Sequence, residues 1–187
     1  MRALQLTEFA KVRMWPGGAV PGFAPLGSVS KDVEADPSAS LPATRLTLEA
    51  YVPRGGLAQY GLIGVIFQPA GHVLRVEVPY CAPHGARWPG ALARGIADDV
   101  RLGLPAEYAD PVLEAAAGCG VRRFPAGSIT IVEAAHGLVG SSASFFMGLI
   151  SCVLEVMCGG CSSEDEHLCT FLTQRLVKQY STATSRI

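Results

Sequence analysis

The sequence predicts a single α+β domain in which helices pack on one face of a largely antiparallel sheet. Three observations carry this prediction. The chain has 187 residues, 49% of them hydrophobic, which is enough for one sizeable core but leaves two cores marginal. Apolar and polar residues alternate with period two in its middle part. Apolar residues recur at helical spacing toward its C-terminus, so strands precede most of the helices.

The first 43 residues are predicted to form a Pro/Gly-rich N-terminal arm, and residues 44–187 the folded domain. Prolines stand at positions 16, 21, 25, 37 and 42, with glycine, serine and alanine common between them. No apolar period survives more than a few residues in this stretch, which is typical of a linker or a surface-draped arm.

Three segments between residues 44 and 80 have the pattern of strands. Residues 44–52 alternate apolar and polar side chains, and 53–56 ends the run with proline and glycine. Residues 61–67 are almost continuously apolar, and 73–80 alternate again. The turn signal Pro69-Ala70-Gly71 between the last two segments predicts a β-hairpin.

The C-terminal part carries the signals of helix, strand and helix in turn. Pro105 suits the first position of a helix that runs to Gly118. Residues 128–132, Ser-Ile-Thr-Ile-Val, are typical of a strand. Ser141 or Ser142 is expected to cap the apolar helix that follows.

A final amphipathic helix is predicted after the glycines at 159 and 160. Ser163 and Glu166 have the spacing of a capping box. Leucines at 168, 172 and 176 then form one apolar stripe, which makes this helix a candidate homodimer contact.

Charge and composition narrow the function classes. The formal net charge is -1 and the pI about 6.4, so no bulk positive field draws the chain to nucleic acid or anionic lipid. Residues 1–10 lack the apolar core and cleavage site of a secretory signal. The apolar run 143–157 is shorter than the roughly 18 residues that cross a membrane. We therefore expect a cytoplasmic protein with reduced cysteines and no membrane partner.

No motif points to catalysis. The chain has no Gly-x-x-x-x-Gly-Lys-Ser/Thr run, and its lysines are Lys11, Lys31 and Lys178, so no GTP is expected to bind. The one notable Ser/His neighbourhood is Ser141 or Ser142 near His136, where a helix cap is the simpler role.

Four soft ligands near the C-terminus leave a zinc site open as an alternative to no cofactor. Cys158, Cys161, His167 and Cys169 together would satisfy a tetrahedral zinc ion chemically. Their spacing is irregular, and His167 and Cys169 diverge on a helix, so both bind one ion only if that turn is not helical.

Two segments resemble the fourth domain of elongation factor G and the related ribosomal protection proteins. The first is Leu-Pro-Ala-Glu-Tyr at 104–108, which opens a helix. The second joins Pro125 and a strand through Thr130, at the family's spacing, to the pair Ser141-Ser142. The resemblance implies a four-stranded, mainly antiparallel sheet with two helices on one face, as in the C-terminal domain of ribosomal protein S-five, plus the C-terminal helix. It also favours a strand within 90–103, where the residue pattern alone leaves helix and strand open.

The resemblance further implies two projecting tip loops that contact the ribosome. Gly-Gly-Leu-Ala-Gln-Tyr-Gly at 55–61 resembles the first, although 71–77 equally resembles the strand that follows that loop in the family. Residues 133–137 stand at the second. Arginines beside Phe124 are further candidates to hold phosphates or stack on bases. The candidate RNA or ribosome contacts are Gly55, Gly56, Gln59, Tyr60, Gly61, Arg122, Arg123, Glu133, His136, Gly137, Ser141 and Ser142.

The departures from the family bear on function. Leu57 stands where the family has an arginine, and Gly140 and Ala143 replace acidic residues that flank the serine pair. The expected function is a non-catalytic binding module associated with the ribosome or RNA. The alternatives are a protein-interaction or structural domain that homodimerises without binding nucleic acid, and a thiol or serine enzyme.

Overall fold

A computed structural model describes residues 1–18, 22–54, 57–82, 84–93, 99–120, 123–159 and 165–178. The predicted α+β class is confirmed: these residues form a mixed sheet of eight strands and three helices. The strands are β1 (Arg2–Gln5), β2 (Lys11–Pro16), β3 (Gly27–Val33), β4 (Thr44–Arg54), β5 (Leu57–Pro69), β6 (Leu74–Tyr80), β7 (Val100–Leu102) and β8 (Gly127–Gly137). The helices are α1 (Ala106–Gly120), α2 (Ala143–Met157) and α3 (Asp165–Leu172), and a π-helical segment (Thr173–Lys178) follows α3.

The sheet has the order β1-β2-β4-β5-β8-β6-β3, and β7 pairs with one end of β8. Every pairing is antiparallel except that of β6 with β8, which is parallel. The sheet therefore has twice as many strands as the four that the resemblance implies.

The N-terminal 43 residues are not a separate arm, because they supply β1, β2 and β3 to the same sheet. Val12 and Met14 of β2 are buried while their neighbours are not, which is the alternation of a half-buried strand. Pro16 ends β2, and Pro25, Pro37 and Pro42 lie in connections between strands. Strands this short are stabilised by pairing with distant partners, so local composition hides them.

The predicted hairpin between residues 61–67 and 73–80 is wrong. The turn is present, but β8 lies between β5 and β6 and pairs with both. Gly127 opens β8 inside the turn, where its N–H donates to the Val73 carbonyl at 3.0 Å. A Cβ at Gly127 would lie 2.4 Å from the Gln68 carbonyl oxygen, so only glycine lets β8 enter there.

The strand expected within 90–103 is confirmed only at its end, as β7. Residues 90–93 lie in turns and irregular structure, and 94–98 lie outside the described residues.

The helix predictions hold closely. Pro105 immediately precedes α1, and Ser142 rather than Ser141 is the N-cap of α2. Ser163 lies outside the described residues, while Glu166 stands in the first turn of α3. None of the helices in the described ranges has the length and apolar character that crossing a membrane requires.

The predicted apolar stripe of the final helix is present but is not free for a homodimer contact. Leu168, Leu172 and Leu176 are each at most 2% exposed, because they pack into the main core of this chain. The last of them lies in the π-helical segment, which continues the stripe beyond α3.

The sheet separates two unequal cores. The main core lies between one face of the sheet and the helices, and residues 46, 48, 50 and 52 of β4 point into it. The opposite face, which we call the second face, carries a smaller cluster around Tyr60, Leu62 and Ala135. Residues 88–93 pack against that cluster and cover part of the second face.

Candidate functional site

The segments predicted as projecting tip loops are largely strand, because residues 57–61 begin β5 and residues 133–137 end β8. Pairing within the sheet therefore replaces the second loop that the resemblance implies. The start of β5 and residues 138–142 between β8 and α2 lie at one end of the sheet, which we call the loop end. The Tyr60 N–H donates to the Gly140 carbonyl at 2.6 Å, which ties β5 to the segment between β8 and α2. The Ser141 hydroxyl donates to the Tyr60 carbonyl at 2.7 Å and accepts from the Gly137 N–H at 2.8 Å. Ser141 thus clamps β5 to the end of β8.

Ser142 has two roles at the loop end. Its hydroxyl accepts from the Phe145 N–H at 3.3 Å, satisfying a free donor in the first turn of α2. The same hydroxyl donates to the Gln59 side-chain oxygen at 2.9 Å. The predicted contact residues Gln59, Ser141 and Ser142 are therefore brought together, and they give the loop end a defined shape.

We expect Ser142→Ala to lower the free energy of unfolding by about 1 kcal/mol, the usual cost of losing a serine N-cap. The matched control is Ser151→Ala in the middle of α2, where the hydroxyl is bonded only to the Met147 carbonyl one turn back. That change should be neutral or slightly stabilising, since alanine is the better helix former. Urea denaturation of both variants makes the comparison, and equal losses would contradict the capping role.

Four further predicted contacts lie inside the structure rather than on its surface. Tyr60, Glu133 and His136 are at most 3% exposed. A Cβ at Gly61 would touch Leu149 and residues near it, since β5 passes directly under α2 there. The His136 Nδ1 lies 2.9 Å from the Gly103 carbonyl oxygen, which holds the ring against the start of α1. These side chains shape the loop end from beneath and do not face a partner.

The remaining predicted contacts are not found at the loop end. Gly55, Gly56 and Arg122 lie outside the described residues. Arg123 precedes β8, at the end of the sheet opposite the loop end, and pairs with Glu155 at 3.9 Å. The structure therefore does not bring Arg123 together with the loop-end residues.

Three large apolar side chains are exposed at the loop end. Leu57 is 62% exposed, Leu138 45% and Val139 65%. Leu138 and Val139 were missed by sequence reasoning, although glycines at 137 and 140 bracket this apolar pair as a loop. Arg54 is the residue paired with Leu57 across β4 and β5. Arg87 and Arg101 both pair with Asp99, whose carbonyl accepts the Leu138 N–H at 3.2 Å.

The structure describes three of the four candidate zinc ligands. No group of three or more His, Cys, Asp or Glu side chains in the described ranges is close enough to hold a metal ion. Cys158, His167 and Cys169 lie within those ranges, and Cys161 lies outside them. The Cys158 thiol donates to the Arg123 carbonyl at 3.5 Å, and burial raises the pKa of this thiol to about 11.

A buried polar network on the second face was also missed. The Glu49 carboxylate, fully buried on β4, accepts from Arg13 Nε at 2.7 Å, from the Tyr60 hydroxyl at 2.8 Å and from the Leu92 N–H at 2.8 Å. Burial raises the pKa of Glu49, against the lowering effects of the Leu92 N–H, the Arg13 charge and the Tyr60 hydroxyl. In the alternating pattern of β4 the glutamate looks like a solvent-facing residue.

A second buried carboxylate is held in the same way on β8, which lies two strands from β4 in the sheet. Glu133 of β8 pairs with Arg45 at 2.8 Å and accepts from the Thr47 hydroxyl. It reaches β4 by crossing over Gly64 of β5, whose missing side chain leaves the space. Gly18 lies against the Arg45 guanidinium, so the connection that leaves β2 covers this pair. Both carboxylates are neutralised and enclosed, which suits them to holding the second face together.

No protein-family model, curated protein or solved structure matches the chain. The functional assignment therefore rests on the geometry of the loop end itself.

Proposed function

We propose that the chain is a non-catalytic binding module that contacts a protein partner through the loop end. The exposed trio Leu57, Leu138 and Val139 is the observation that carries the proposal. Burying an aliphatic side chain of this size contributes about 1.5–3 kcal/mol, so three at one end of the sheet represent substantial unused binding energy. Exposed apolar patches of this kind commonly mark interaction sites.

The hydrogen bonds beneath the trio support a pre-formed contact surface. The Ser141 hydroxyl and the Gly140 carbonyl both bind the backbone of Tyr60, so residues 138–141 are held against β5 before a partner binds. A surface that is already ordered loses less conformational entropy in forming a complex.

The distribution of charge favours a protein over RNA as this partner. Affinity for RNA comes mainly from Lys and Arg contacts to phosphates. Arg87 and Arg101 near the loop end share the Asp99 carboxylate, so their charge is partly offset. The residues that replace the family's tip arginine and flanking acids are apolar or small.

Ribosome contact remains the second candidate. The support for it is coarse: α1 and α2 pack on one face of a sheet, as the resemblance to the fourth domain of elongation factor G implies. In this proposal the domain IV-like unit is widened by β1, β2 and β3. The start of β5 and residues 138–142 would then face the ribosome.

Aspartate substitutions test the proposal. We expect Leu57→Asp with Val139→Asp to reduce retention of a protein partner from cell extract about tenfold, while retention by the native chain survives nuclease and about 0.5 M salt. The matched control is Val73→Asp, because Val73 is 54% exposed at the opposite end of the sheet. Its binding should equal that of the native chain.

The ribosome alternative gives the opposite result. Co-sedimentation with ribosomes that weakens steeply with added salt, and is lost after nuclease treatment, would contradict the protein-partner proposal. Equal loss of retention in the Val73→Asp control would also count against the loop end as the contact.

A further inference from the structure

The two edges of the sheet differ in how they are covered. At the β1 edge, Arg2 pairs with Asp165 of α3 at 2.9 Å, and the Thr173 hydroxyl reaches the Leu6 carbonyl at 3.5 Å. At the other edge, β3 pairs with β6 alone, and in the described ranges no strand or helix backbone pairs with its outer side. An unpaired strand edge offers a ready template for an added strand.

Pro79 determines which backbone groups of β3 point outward. Opposite residues in an antiparallel pair alternate between hydrogen-bonded and non-hydrogen-bonded positions. Pro79 has no N–H and stands opposite Ser28, so the Ser28–Pro79 pair takes the non-hydrogen-bonded position. The alternation then directs the N–H and C=O groups of Ser28, Ser30 and Asp32 away from β6, toward the open edge.

An acidic ridge flanks this edge. Glu107, Asp110 and Glu114 are exposed on α1 at spacings of three and four residues, so they share one side of the helix. The ridge lies beside β3, since Lys31 Nζ bonds both oxygens of Glu114 at 2.9 and 2.7 Å. Lys31 offsets one of these three carboxylates.

Carboxylates on β3 and just past its end add to the negative charge of the acidic ridge. Asp32 is exposed and lies 3.5 Å from Arg75, which offsets it, while Glu34 is exposed just past the end of β3. The carboxylates around the edge thus outnumber the basic side chains that pair with them.

We propose that the outer edge of β3 binds an extended peptide segment with basic side chains as an added strand. Ser28, Ser30 and Asp32 would supply the backbone hydrogen bonds, and alternate side chains of the peptide would face the acidic ridge of α1. A second copy of this chain fits less well, because pairing β3 with β3 brings two acidic ridges together. This surface is independent of the loop end.

The test uses labelled eight-residue peptides of alternating lysine and threonine, and of alternating glutamate and threonine, in fluorescence anisotropy. The basic peptide should bind the native chain at least about tenfold more tightly than the acidic one, and added salt should weaken it. Asp110→Asn with Glu114→Gln should weaken the basic peptide about threefold. Equal binding of the two peptides would overturn the proposal.

Ser30→Pro separates strand addition from simple charge attraction. Proline removes the outward N–H of Ser30 while leaving the β6 pairing intact, as edge strands permit. Binding should fall about tenfold, whereas Ser30→Ala, which keeps the N–H, should bind like the native chain. Unchanged binding by a folded Ser30→Pro variant would overturn the proposal.

Two further measurements cover the remaining outcomes. If Ser30→Pro does not fold, a basic peptide methylated on alternate backbone nitrogens replaces it, and one of the two methylation patterns should abolish binding. Unchanged binding of both patterns would overturn the proposal. So would a dimer of the native chain, seen by light scattering and lost in Ser30→Pro, since the edge would then serve a second copy.

Discussion

Replacing Arg13 with leucine should lower the free energy of unfolding by about 3 kcal/mol at pH 7, because it leaves the buried Glu49 carboxylate without its cationic partner. The side chain of Arg13 is 21% exposed and that of Glu49 is fully buried. The guanidinium also lies 5.3 Å from the centre of the Trp15 ring, a contact that leucine replaces only in part. Urea denaturation at fixed pH measures the loss.

The cost of this substitution should depend on pH in a defined direction. Burial raises the pKa of Glu49 in the folded chain, so the folded state holds this proton more tightly than the unfolded state does. The contribution of Glu49 to stability therefore falls as pH rises from its unfolded pKa through its folded pKa. Removing Arg13 raises the folded pKa further. The destabilisation should be greatest above that pKa and shrink on acidification toward about pH 4.3, the ordinary pKa of glutamic acid.

Two controls make the result specific. Arg75→Leu removes an arginine whose pair with Asp32 is more than half exposed on both sides, and it should cost less than about 0.5 kcal/mol at either pH. In a Glu49→Gln background Arg13→Leu should cost much less than in the native chain, because no buried charge is left unpaired. A loss independent of pH, or unchanged by Glu49→Gln, would show that Arg13 acts through packing alone.

Gly64→Ala should be nearly as damaging, with a loss of about 3 kcal/mol in the free energy of unfolding. A Cβ at this position would lie 2.5 Å from Oε2 of Glu133 and 2.6 Å from the Thr47 hydroxyl. Glu133 can avoid it only by leaving Thr47 and Arg45, which strands a buried carboxylate. The backbone of Gly64 has no positive φ, so the cost is steric and electrostatic rather than conformational.

Gly118→Ala is the matched control for this substitution. Gly118 is exposed in α1, and an added Cβ would meet nothing within 4 Å. Alanine there should stabilise the chain by about 0.5–1 kcal/mol, because it restricts the unfolded chain and favours helix. Thermal unfolding of the two variants should therefore shift in opposite directions. A Gly64→Ala variant as stable as the native chain would contradict the idea that Glu133 needs the space left by the missing side chain of Gly64.

Local signals in the sequence were sufficient for several elements. The alternation of β4, the β-branched segment in β8 and the apolar run of α2 each carry their own pattern, and Pro105 and Ser142 mark helix starts by chemistry that acts within a few residues. The second tip loop was not placed in this way, since residues 133–137 continue β8 rather than forming a loop.

Long-range pairing explains where sequence reasoning failed. β8 inserts between β5 and β6, which only the register and Gly127 reveal. β3 pairs with β6 at one edge of the sheet. It is therefore far from β2 in space, although it is the next strand in the chain. A proline-rich stretch hides such strands because their stability comes from partners more than 40 residues away.

The sequence by itself determined the α+β class and the starts of the helices, because these depend on contacts between near neighbours in the chain. Only the tertiary structure decided which polar residues are buried. Glu49 and Glu133 look like surface residues in their strands, and Leu138 and Val139 look like core residues. Whether these side chains are buried or exposed depends on which other segments pack over them. Those segments are distant in sequence.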